Sequence, residues 1–317
     1  MTRPHSGHKS DVTLNGVITA AFGRQYEVEV AVGDSIAAKS DQPARLQCYP
    51  RGKKSVFACG DEVEIVANGK DQGVITRLCE RQNLLWRSDA FREKLIAANL
   101  TQIVIVTATE PDFSDLLISR CVAAAESQHI KVLIALNKAD LTGLLPAARR
   151  RLETYSRLGY RVIELSARGG AGELRPFLAG ERSIFVGQSG MGKSTLTNAL
   201  IPEAQAATRE ISEALNSGKH TTTFARLYRL DGGWLIDSPG LQAFGLAHLK
   251  PDELLAGFVE FHDHLGKCRF RDCMHEAEPG CALRAAVESG AIDARRFEHF
   301  RLIREEIRAA KRAQQGW

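Results

Sequence analysis

The sequence predicts a protein of three domains: a small β-barrel, a central α/β domain with a mostly parallel sheet, and a helical C-terminal domain. Short strands with period-two alternation fill the first part of the chain, strands and helices alternate in the middle, and the last part is helical around a cysteine cluster. We place a disordered basic tail at 1–10, the barrel at 11–80, the α/β domain at 81–246 and the helical domain at 247–317.

Composition narrows the class of protein before any motif is considered. Apolar residues make up 44% and charged residues 25%, which is typical of a globular protein, and no apolar run is long enough to cross a membrane. The polar N-terminus lacks the apolar segment of a signal peptide, so we expect a cytoplasmic protein. We also expect the protein to be a monomer. The net charge of +4 allows a nucleic-acid partner without requiring one.

The first domain is predicted from alternation and turns. Tyr26–Val30 and Glu62–Val66 alternate with period two, and glycines separate about five such segments. Five short strands in this length favour an OB-fold barrel, with an SH3-like barrel as the alternative.

The middle region reads as alternating strands and helices, which is typical of a parallel sheet covered on both faces. Ser114 is the predicted N-cap of the first helix. The strands are predicted at 102–107, 131–136, 161–165, 182–186, 225–230 and 234–237, and the helices at 114–127, 146–158 and 193–200.

A glycine-rich turn between a predicted strand and a predicted helix matches G-x-x-x-x-G-K-[ST], a P-loop. Its glycines let successive backbone N–H groups point at phosphates, and the helix N-terminus adds positive potential. Lys193 would reach the β- and γ-phosphates and assist catalysis, and the Ser194 hydroxyl would bind Mg²⁺. The predicted nucleotide-binding residues of this segment are Gly187, Gln188, Ser189, Gly190, Met191, Gly192, Lys193, Ser194 and Thr195.

Asn137-Lys-Ala-Asp140 directly follows a predicted strand and identifies the base. The Asp140 carboxylate can accept hydrogen bonds from N1–H and the exocyclic amine of guanine, which adenine does not offer in that geometry. Asn137 would bond the base edge and Lys138 would lie along it, while Ser166-Ala167 after another strand would offer a backbone amide. Beside a P-loop, this motif predicts GTP or GDP as the ligand.

Two further segments, the first switch (218–223) and the second switch (237–240), suit contact with the γ-phosphate. Asp237-Ser-Pro-Gly240 follows a strand, so that Asp237 would hold Mg²⁺ through water and the Gly240 amide would meet the γ-phosphate. Upstream, one threonine of 221–223 would complete the Mg²⁺ shell. We favour Thr222, with Thr221 and Thr223 as alternatives.

The position after Gly240 departs from the usual pattern, because Leu241 stands where many GTPases carry a water-orienting glutamine. His220 is the nearest candidate for that catalytic role, and an exposed loop histidine is an equally good interpretation. We therefore expect slow intrinsic hydrolysis that a partner stimulates.

The motifs are complete but rotated in order, since N-K-x-D at 137–140 precedes the P-loop at 187–194. A circular permutation preserves the sheet when the original termini are close in space. It also makes the chain pass directly from the second switch into the C-terminal domain.

The cysteines fall into two groups. Cys48, Cys59, Cys79 and Cys121 are scattered and are interpreted as small core residues. The C-terminal domain offers three thiolates and one imidazole in a short segment, a ligand set that suits one structural Zn²⁺. The predicted ligands are Cys268, Cys273, His275 and Cys281, with His262 and His264 as competitors for the fourth position and unliganded cysteines as the alternative.

Basic residues on two elements predict contact with a nucleic-acid backbone. The barrel carries a basic and aromatic mixture of Arg45, Tyr49, Arg51, Lys53, Lys54 and Phe57. The last helix carries Arg295, Arg296, Arg301, Arg304, Arg308, Lys311 and Arg312. The alternative for that helix is a solvated face balanced by Glu298, Glu305 and Glu306.

With these motifs in place, the chain closely resembles the RsgA (YjeQ) family of small ribosomal subunit-dependent GTPases over nearly its whole length. The resemblance rests on the barrel, N-K-A-D, G-Q-S-G-M-G-K-S, K-H-T-T-T, D-S-P-G, the hydrophobic residue after it and the C-x4-C-x-H-x5-C cluster. It implies a cytoplasmic bacterial protein that binds ribosomal RNA of the small subunit, acts late in maturation, and leaves on GTP hydrolysis.

Two other functions compete with this interpretation. A pure RNA-binding module with a structural nucleotide would bind RNA equally with GTP and GDP. A different permuted GTPase would act on another RNA or on the large subunit, which the zinc cluster and the barrel argue against.

Overall fold

The computed structural model describes residues 13–30, 43–52, 56–88, 93–202, 204, 225–238 and 245–314. Its N-terminal part is a barrel of five strands with the order β1-β2-β3-β5-β4, in which β4 pairs back with β1 and closes the ring. These strands are β1 (Thr13–Phe22), β2 (Gln25–Val30), β3 (Arg45–Pro50), β4 (Glu62–Ala67) and β5 (Gln72–Leu78). The expected OB-like barrel is confirmed, and the predicted tail at 1–10 lies outside the described residues.

Alternation along these strands fills the barrel interior. Ile18, Tyr26, Val28 and Ile65 are fully buried, because every second side chain points inward. Cys48 belongs to the same core, and burial raises the pKa of its thiol to about 12. It is a small core residue, as its isolation in the sequence predicted.

A two-stranded hairpin that the sequence analysis did not predict follows the barrel. Its strands are β6 (Leu84–Ser88) and β7 (Glu93–Ala98). Five of the six residues in 93–98, all except Ile96, favour helices, so the local preference of this segment does not indicate a strand. The Trp86 ring lies against His248 with centroids 4.7 Å apart, which places the hairpin beside the segment that follows the D-S-P-G motif.

The central sheet has the order β10-β9-β8-β11-β13-β12, parallel except for the antiparallel pair of β12 and β13. Its strands are β8 (Gln102–Ala108), β9 (Lys131–Asn137), β10 (Arg161–Glu164), β11 (Arg182–Val186), β12 (Arg226–Leu230) and β13 (Gly233–Asp237). The helices of this region are α1 (Asp115–Glu126), α2 (Leu145–Arg157), α3 (Arg175–Leu178) and α4 (Lys193–Leu200). Ser114 caps α1 as predicted, since its side chain accepts the Leu117 amide.

The sheet explains how the permutation is accommodated. Strand β11, which leads into the glycine-rich loop, lies between β8 and β13, although β8 to β10 come earlier in the chain. All seven residues of β8 are buried, as a central parallel strand requires. The edge strand β12 meets the barrel where Ala20 pairs with Arg226, so barrel and central sheet form one continuous sheet of eleven strands.

The C-terminal part is helical and shares its core with the central domain. It contains α5 (Pro251–Ala256), a 3₁₀ helix (Val259–His264), α6 (Ala282–Glu288) and α7 (Ala294–Gln314). Phe258, Phe261 and Phe300 pack together with ring centroids 5.1–5.5 Å apart. Within the described parts of the chain, no helix is both long and apolar enough to traverse a bilayer.

Arg296 anchors α7 to the central domain. Its guanidinium donates to the Glu260 carboxylate at 2.7 Å and to the Ser119 hydroxyl of α1 at 2.9 Å, and its side chain is 2% exposed. The expectation that Arg296 contacts nucleic acid is therefore wrong, because its charge is neutralised inside the protein.

We expect Asp61→Ala to lower the free energy of unfolding by about 3–5 kcal/mol, because it removes one partner of a buried ion pair. The Asp61 carboxylate is fully buried and accepts from Arg81 Nε and Nη2, both at 2.7 Å, and from the Ala58 amide. Urea unfolding measures the loss. Glu64→Ala, which breaks the exposed pair with Arg77, is the control and should change stability little. Equal losses in the two variants would contradict this account.

Candidate nucleotide-binding site and metal centre

A cleft of about 690 Å³ opens at the carboxyl ends of β8, β9, β11 and β13. Ligands of open α/β sheets bind at this edge. Twelve predicted residues line it: Asn137, Lys138, Asp140, Ser166, Ala167, Ser189, Gly190, Gly192, Lys193, Ser194, Thr195 and Asp237. Glu110, Leu141 and Arg168 also line the cleft and were missed, although Arg168 directly follows the predicted Ser166-Ala167 pair.

Three predicted nucleotide-binding residues of the P-loop, Gly187, Gln188 and Met191, do not line the cleft. The Gln188 side chain instead accepts the Ser114 amide at 2.6 Å, which ties the P-loop to the start of α1. Met191 is buried, and a Cβ on Gly187 would lie 2.2 Å from the Val106 carbonyl oxygen. These three residues support the conformation of the P-loop and do not face the cleft.

The P-loop has the conformation that a phosphate-binding loop needs. Gly190 and Gly192 have positive φ angles of 79° and 92°, and Gly192 is the N-cap of α4. Backbone N–H groups at this helix N-terminus are suited to bind phosphate oxygens. A Cβ on Gly192 would lie 2.2 Å from Asn137 Nδ2, so only glycine fits between the two loops.

Lys193 and Asp237 bring opposite charges to one end of the cleft. Lys193 Nζ donates to the carbonyl oxygens of Gly187 at 2.5 Å and Gln188 at 2.7 Å. Burial lowers the pKa of Lys193 and raises that of Asp237, and the attraction between the two charges opposes both shifts. The Asp237 carboxylate and the Ser194 hydroxyl are hard oxygen ligands of the kind that Mg²⁺ prefers.

Asn137 connects three loops of the site. Its side chain is 1% exposed; Nδ2 donates to the Met191 carbonyl at 2.9 Å, and Oδ1 accepts the amides of Lys138 at 2.8 Å and Ala167 at 2.9 Å. The sequence predicts that Asn137 and a backbone amide of Ser166-Ala167 contact the base. In this structure their polar atoms bond each other and the P-loop, so Asn137 organises the pocket.

Asp140 lies exposed at the mouth of the cleft. Its hydrogen bond from the Ser166 side chain lowers its pKa, and Arg168 and Lys138 act in the same direction. The carboxylate is therefore ionised at neutral pH and can accept two N–H donors. Lys138 Nζ donates to the Glu110 carbonyl at 2.7 Å, which extends its aliphatic chain along one wall.

Four residues in or next to the two predicted switches, two at each, fall on segments that are not described. Thr222, His220, Gly240 and Leu241 lie outside the described residues.

The predicted metal ligands converge in the C-terminal domain. One ligand atom from each of Cys268, Cys273, His275 and Cys281 lies within 4.8 Å of the others. His275 Nδ1 is 3.6 Å from Cys268 Sγ, 3.6 Å from Cys273 Sγ and 3.4 Å from Cys281 Sγ. A tetrahedral Zn²⁺ with its usual bond lengths separates nitrogen and sulfur ligands by roughly 3.5 Å, so this set fits the ion. The His262 ring faces the Ala256 carbonyl, and neither His262 nor His264 joins the cluster.

The predicted nucleic-acid surface is smaller than the sequence suggested. Arg45 pairs with Glu29 at 3.4 Å, and the Phe57 ring packs edge-on against Tyr26 in the barrel. Tyr49 remains 46% exposed. Arg51 is exposed too, and Lys53 and Lys54 lie outside the described residues.

Most arginines of α7 have protein partners. Arg304 is largely buried and donates to the Met274 carbonyl. The others form ion pairs on the surface: Arg295 with Asp293, Arg301 with Glu298, Arg308 with Glu276 and Arg312 with Glu305. Lys311 donates to the Leu249 carbonyl. This arrangement favours the alternative of a balanced helix face.

Comparison with known proteins agrees with this site. The family model for the RsgA GTPase matches residues 78–247, more than half of the chain. The chain belongs to the RsgA GTPase family. A Burkholderia pseudomallei protein named small ribosomal subunit biogenesis GTPase RsgA is 53% identical over 282 residues, which cover 87% of each chain.

Solved structures of RsgA relatives extend the agreement to the fold. The crystal structure of YjeQ from Thermotoga maritima matches with a TM-score of 0.71 and 29% identity, covering 93% of this chain and 99% of that one. The crystal structure of YloQ, a circularly permuted GTPase, matches with a TM-score of 0.69 and 25% identity, covering 96% of this chain and 98% of that one. Membership in this family implies GTP or GDP and Mg²⁺ as ligands and supports a GTP-hydrolysing enzyme.

We expect Gly192→Ala to weaken GDP and GTP binding at least about tenfold, because the added Cβ would collide with the Asn137 amide that holds the pocket together. Isothermal titration calorimetry measures the change. Gly170→Ala is the matched control: Gly170 has a positive φ of 103°, but no atom lies within 4 Å of the added methyl group. Equal affinities in the two variants would refute this role of Gly192.

We expect one zinc ion per chain and its loss in Cys273→Ala, with little change in helix content. The helices should persist because the cluster Phe258, Phe261 and Phe300 packs without the metal. Elemental analysis and far-UV circular dichroism give the two readouts. Cys79→Ala, at a cysteine outside the cluster, should retain the zinc. Unfolding of the C-terminal helices on zinc loss would show that the metal, not the aromatic core, holds them.

Proposed function

We propose that this protein is a GTP hydrolase that acts late in assembly of the small ribosomal subunit, binds its rRNA and leaves after hydrolysis. The observation that carries the proposal is one cleft whose lining includes both Asp140, the carboxylate predicted to select guanine, and residues of the predicted P-loop. The name of the Burkholderia pseudomallei relative, a small ribosomal subunit biogenesis GTPase, supports the small subunit as the partner.

Bound Mg²⁺ would neutralise charge on the β- and γ-phosphates. The chain's own residues would do the rest. Lys193 of the P-loop would bind the phosphate oxygens. Ser194, Asp237 and Thr222 would belong to the coordination shell of Mg²⁺. Leu241 cannot orient water, so His220 or a group from the partner would do so, and hydrolysis without the partner would be slow.

The junction between barrel and central sheet offers a route from nucleotide to RNA. Strand β12 follows the predicted first switch, and β13 ends at Asp237. Arg229 of β12 donates from Nε to the buried Glu29 carboxylate of the barrel at 2.8 Å. Its guanidinium carbon also lies 4.5 Å from the ring centroid of Trp234 in β13. A shift of either switch would therefore move strands that carry the barrel, and with it exposed residues such as Tyr49.

The proposal also includes the domain boundaries, which we place after residues 80 and 246. It further includes one structural zinc ion, a monomeric state and a location in the cytoplasm, where ribosomal subunits mature. In this proposal, the predicted residues that line the cleft contact the nucleotide, together with Gly240 and Thr222 of the two switches.

The deciding experiment is GTP turnover alone and with purified small subunits. We expect at least about tenfold stimulation, since an ordered switch can supply large rate gains. Co-sedimentation with GTP and GDP analogues then tests release. Stimulation by large subunits alone would favour a different permuted GTPase, and equal affinity with both nucleotides would favour a pure RNA-binding module. No stimulation by small subunits would end the proposal.

We expect Asp140→Asn to weaken GTP binding by about 10- to 100-fold and to improve binding of xanthosine triphosphate. An amide loses one of the two acceptor positions for guanine but can donate to the 2-oxo group of xanthine. Competition with a fluorescent nucleotide measures both affinities. Asp252→Asn, in the exposed first turn of α5, should bind both like the parent protein. An unchanged preference for GTP in the Asp140 variant would remove Asp140 from the base site.

A further inference from the structure

The loop that carries His275 has an unusual backbone. His275 has a φ of 59°, in the left-handed region that side-chain-bearing residues rarely adopt. The residue is nevertheless buried, and its Nδ1 atom faces the three cysteine sulfurs. Such a conformation persists only where surrounding contacts determine it.

A single carboxylate holds the backbone on both sides of His275. Glu278 Oε1 accepts the Met274 amide at 2.8 Å, and Oε2 accepts the amides of Glu276 at 2.8 Å and Ala277 at 3.1 Å. Hydrogen bonds from N–H groups to an ionised acceptor are stronger than neutral ones. The carboxylate thus closes a small ring of backbone around the ligand residue.

Helix α7 holds the same loop from outside. Arg304 donates to the Met274 carbonyl, so both polar groups of the Met274 backbone are bound. The Glu276 side chain pairs with Arg304 at 3.2 Å and with Arg308 at 2.5 Å. Both neighbours of His275 are therefore fixed by charged side chains that are not themselves metal ligands.

We propose that Glu278 is a positioning residue of the zinc site, which holds the His275 loop in its ligating conformation before the metal binds. Partners that orient metal ligands raise affinity because the protein does not have to order the ligand on binding. Glu278 acts through the backbone of a ligand residue rather than through its ring. The role does not depend on the proposed function of the cleft.

The first test is zinc affinity in Glu278→Gln, measured by chelator competition on the full-length protein. The glutamine keeps the size of the side chain but has one acceptor atom instead of two. We expect affinity to fall about 10- to 100-fold, while nucleotide affinity and helix content stay at parent values. Glu288→Gln, at the exposed end of α6, is the matched control and should bind zinc like the parent. Zinc affinity within twofold of the parent in Glu278→Gln would overturn the proposal.

Glu278→Asp separates the clamp from simple charge attraction to the metal. It keeps the negative charge, but its shorter side chain does not reach all three amides. We expect weaker zinc binding here too. Parent-like affinity in Glu278→Asp together with weak binding in Glu278→Gln would assign the effect to charge and refute the clamp.

Hydrogen exchange on the metal-free parent protein tests the same point without a substitution. A loop held by Glu278 should protect the Met274 and Glu276 amides, and Glu278→Gln should remove that protection. Exchange of both amides at the rate of an unstructured peptide in the metal-free parent would show that the metal, not Glu278, orders the loop.

Discussion

The buried Asn137 side chain is the contact on which the nucleotide site depends. Its amide bonds the P-loop at Met191, and its oxygen holds the backbone at Lys138 and Ala167. A buried amide with unmet hydrogen bonds costs free energy, so an arrangement of these loops that satisfies it is favoured. The close approach to Gly192 follows from the same contact, since a side chain there would displace the amide. Base recognition and phosphate binding are thereby fixed relative to each other.

Outside the cleft, the barrel, the central domain and the C-terminal helices are joined by a continuous sheet and a shared hydrophobic core. The barrel continues the central sheet through β1 and β12, and the C-terminal helices share one hydrophobic core with that sheet. Arg296 adds a buried link from α7 to Ser119 of α1, and Gln188 links the start of α1 to the P-loop. Because the permuted chain runs from the second switch into the C-terminal helices, these links give that domain two connections to the nucleotide site, one covalent and one through α1.

Charged residues show how far composition can mislead about binding surfaces. Seven arginines and lysines on α7 resemble a phosphate-binding face, yet Arg296 and Arg304 are buried and the others pair with glutamates, an aspartate or a carbonyl group. Burying an arginine is favourable only with such partners, and these come from distant segments, such as Glu260 and Glu276. On the barrel, by contrast, the Tyr49 and Arg51 side chains are exposed.

The sequence by itself determined the OB-like barrel, the order of strands and helices in the central domain, the P-loop, the N-K-A-D motif and the cluster of three cysteines and one histidine that fits zinc. These depend on local periodicity and on short spacings, which the chain carries wherever it folds. Tertiary structure alone decided the β6–β7 hairpin, whose second strand has helix-forming residues, because pairing between strands overrides local preference. It also decided that Asn137 bonds neighbouring loops and that Arg296 is buried. Both outcomes depend on which distant groups meet in space, and no single segment encodes that.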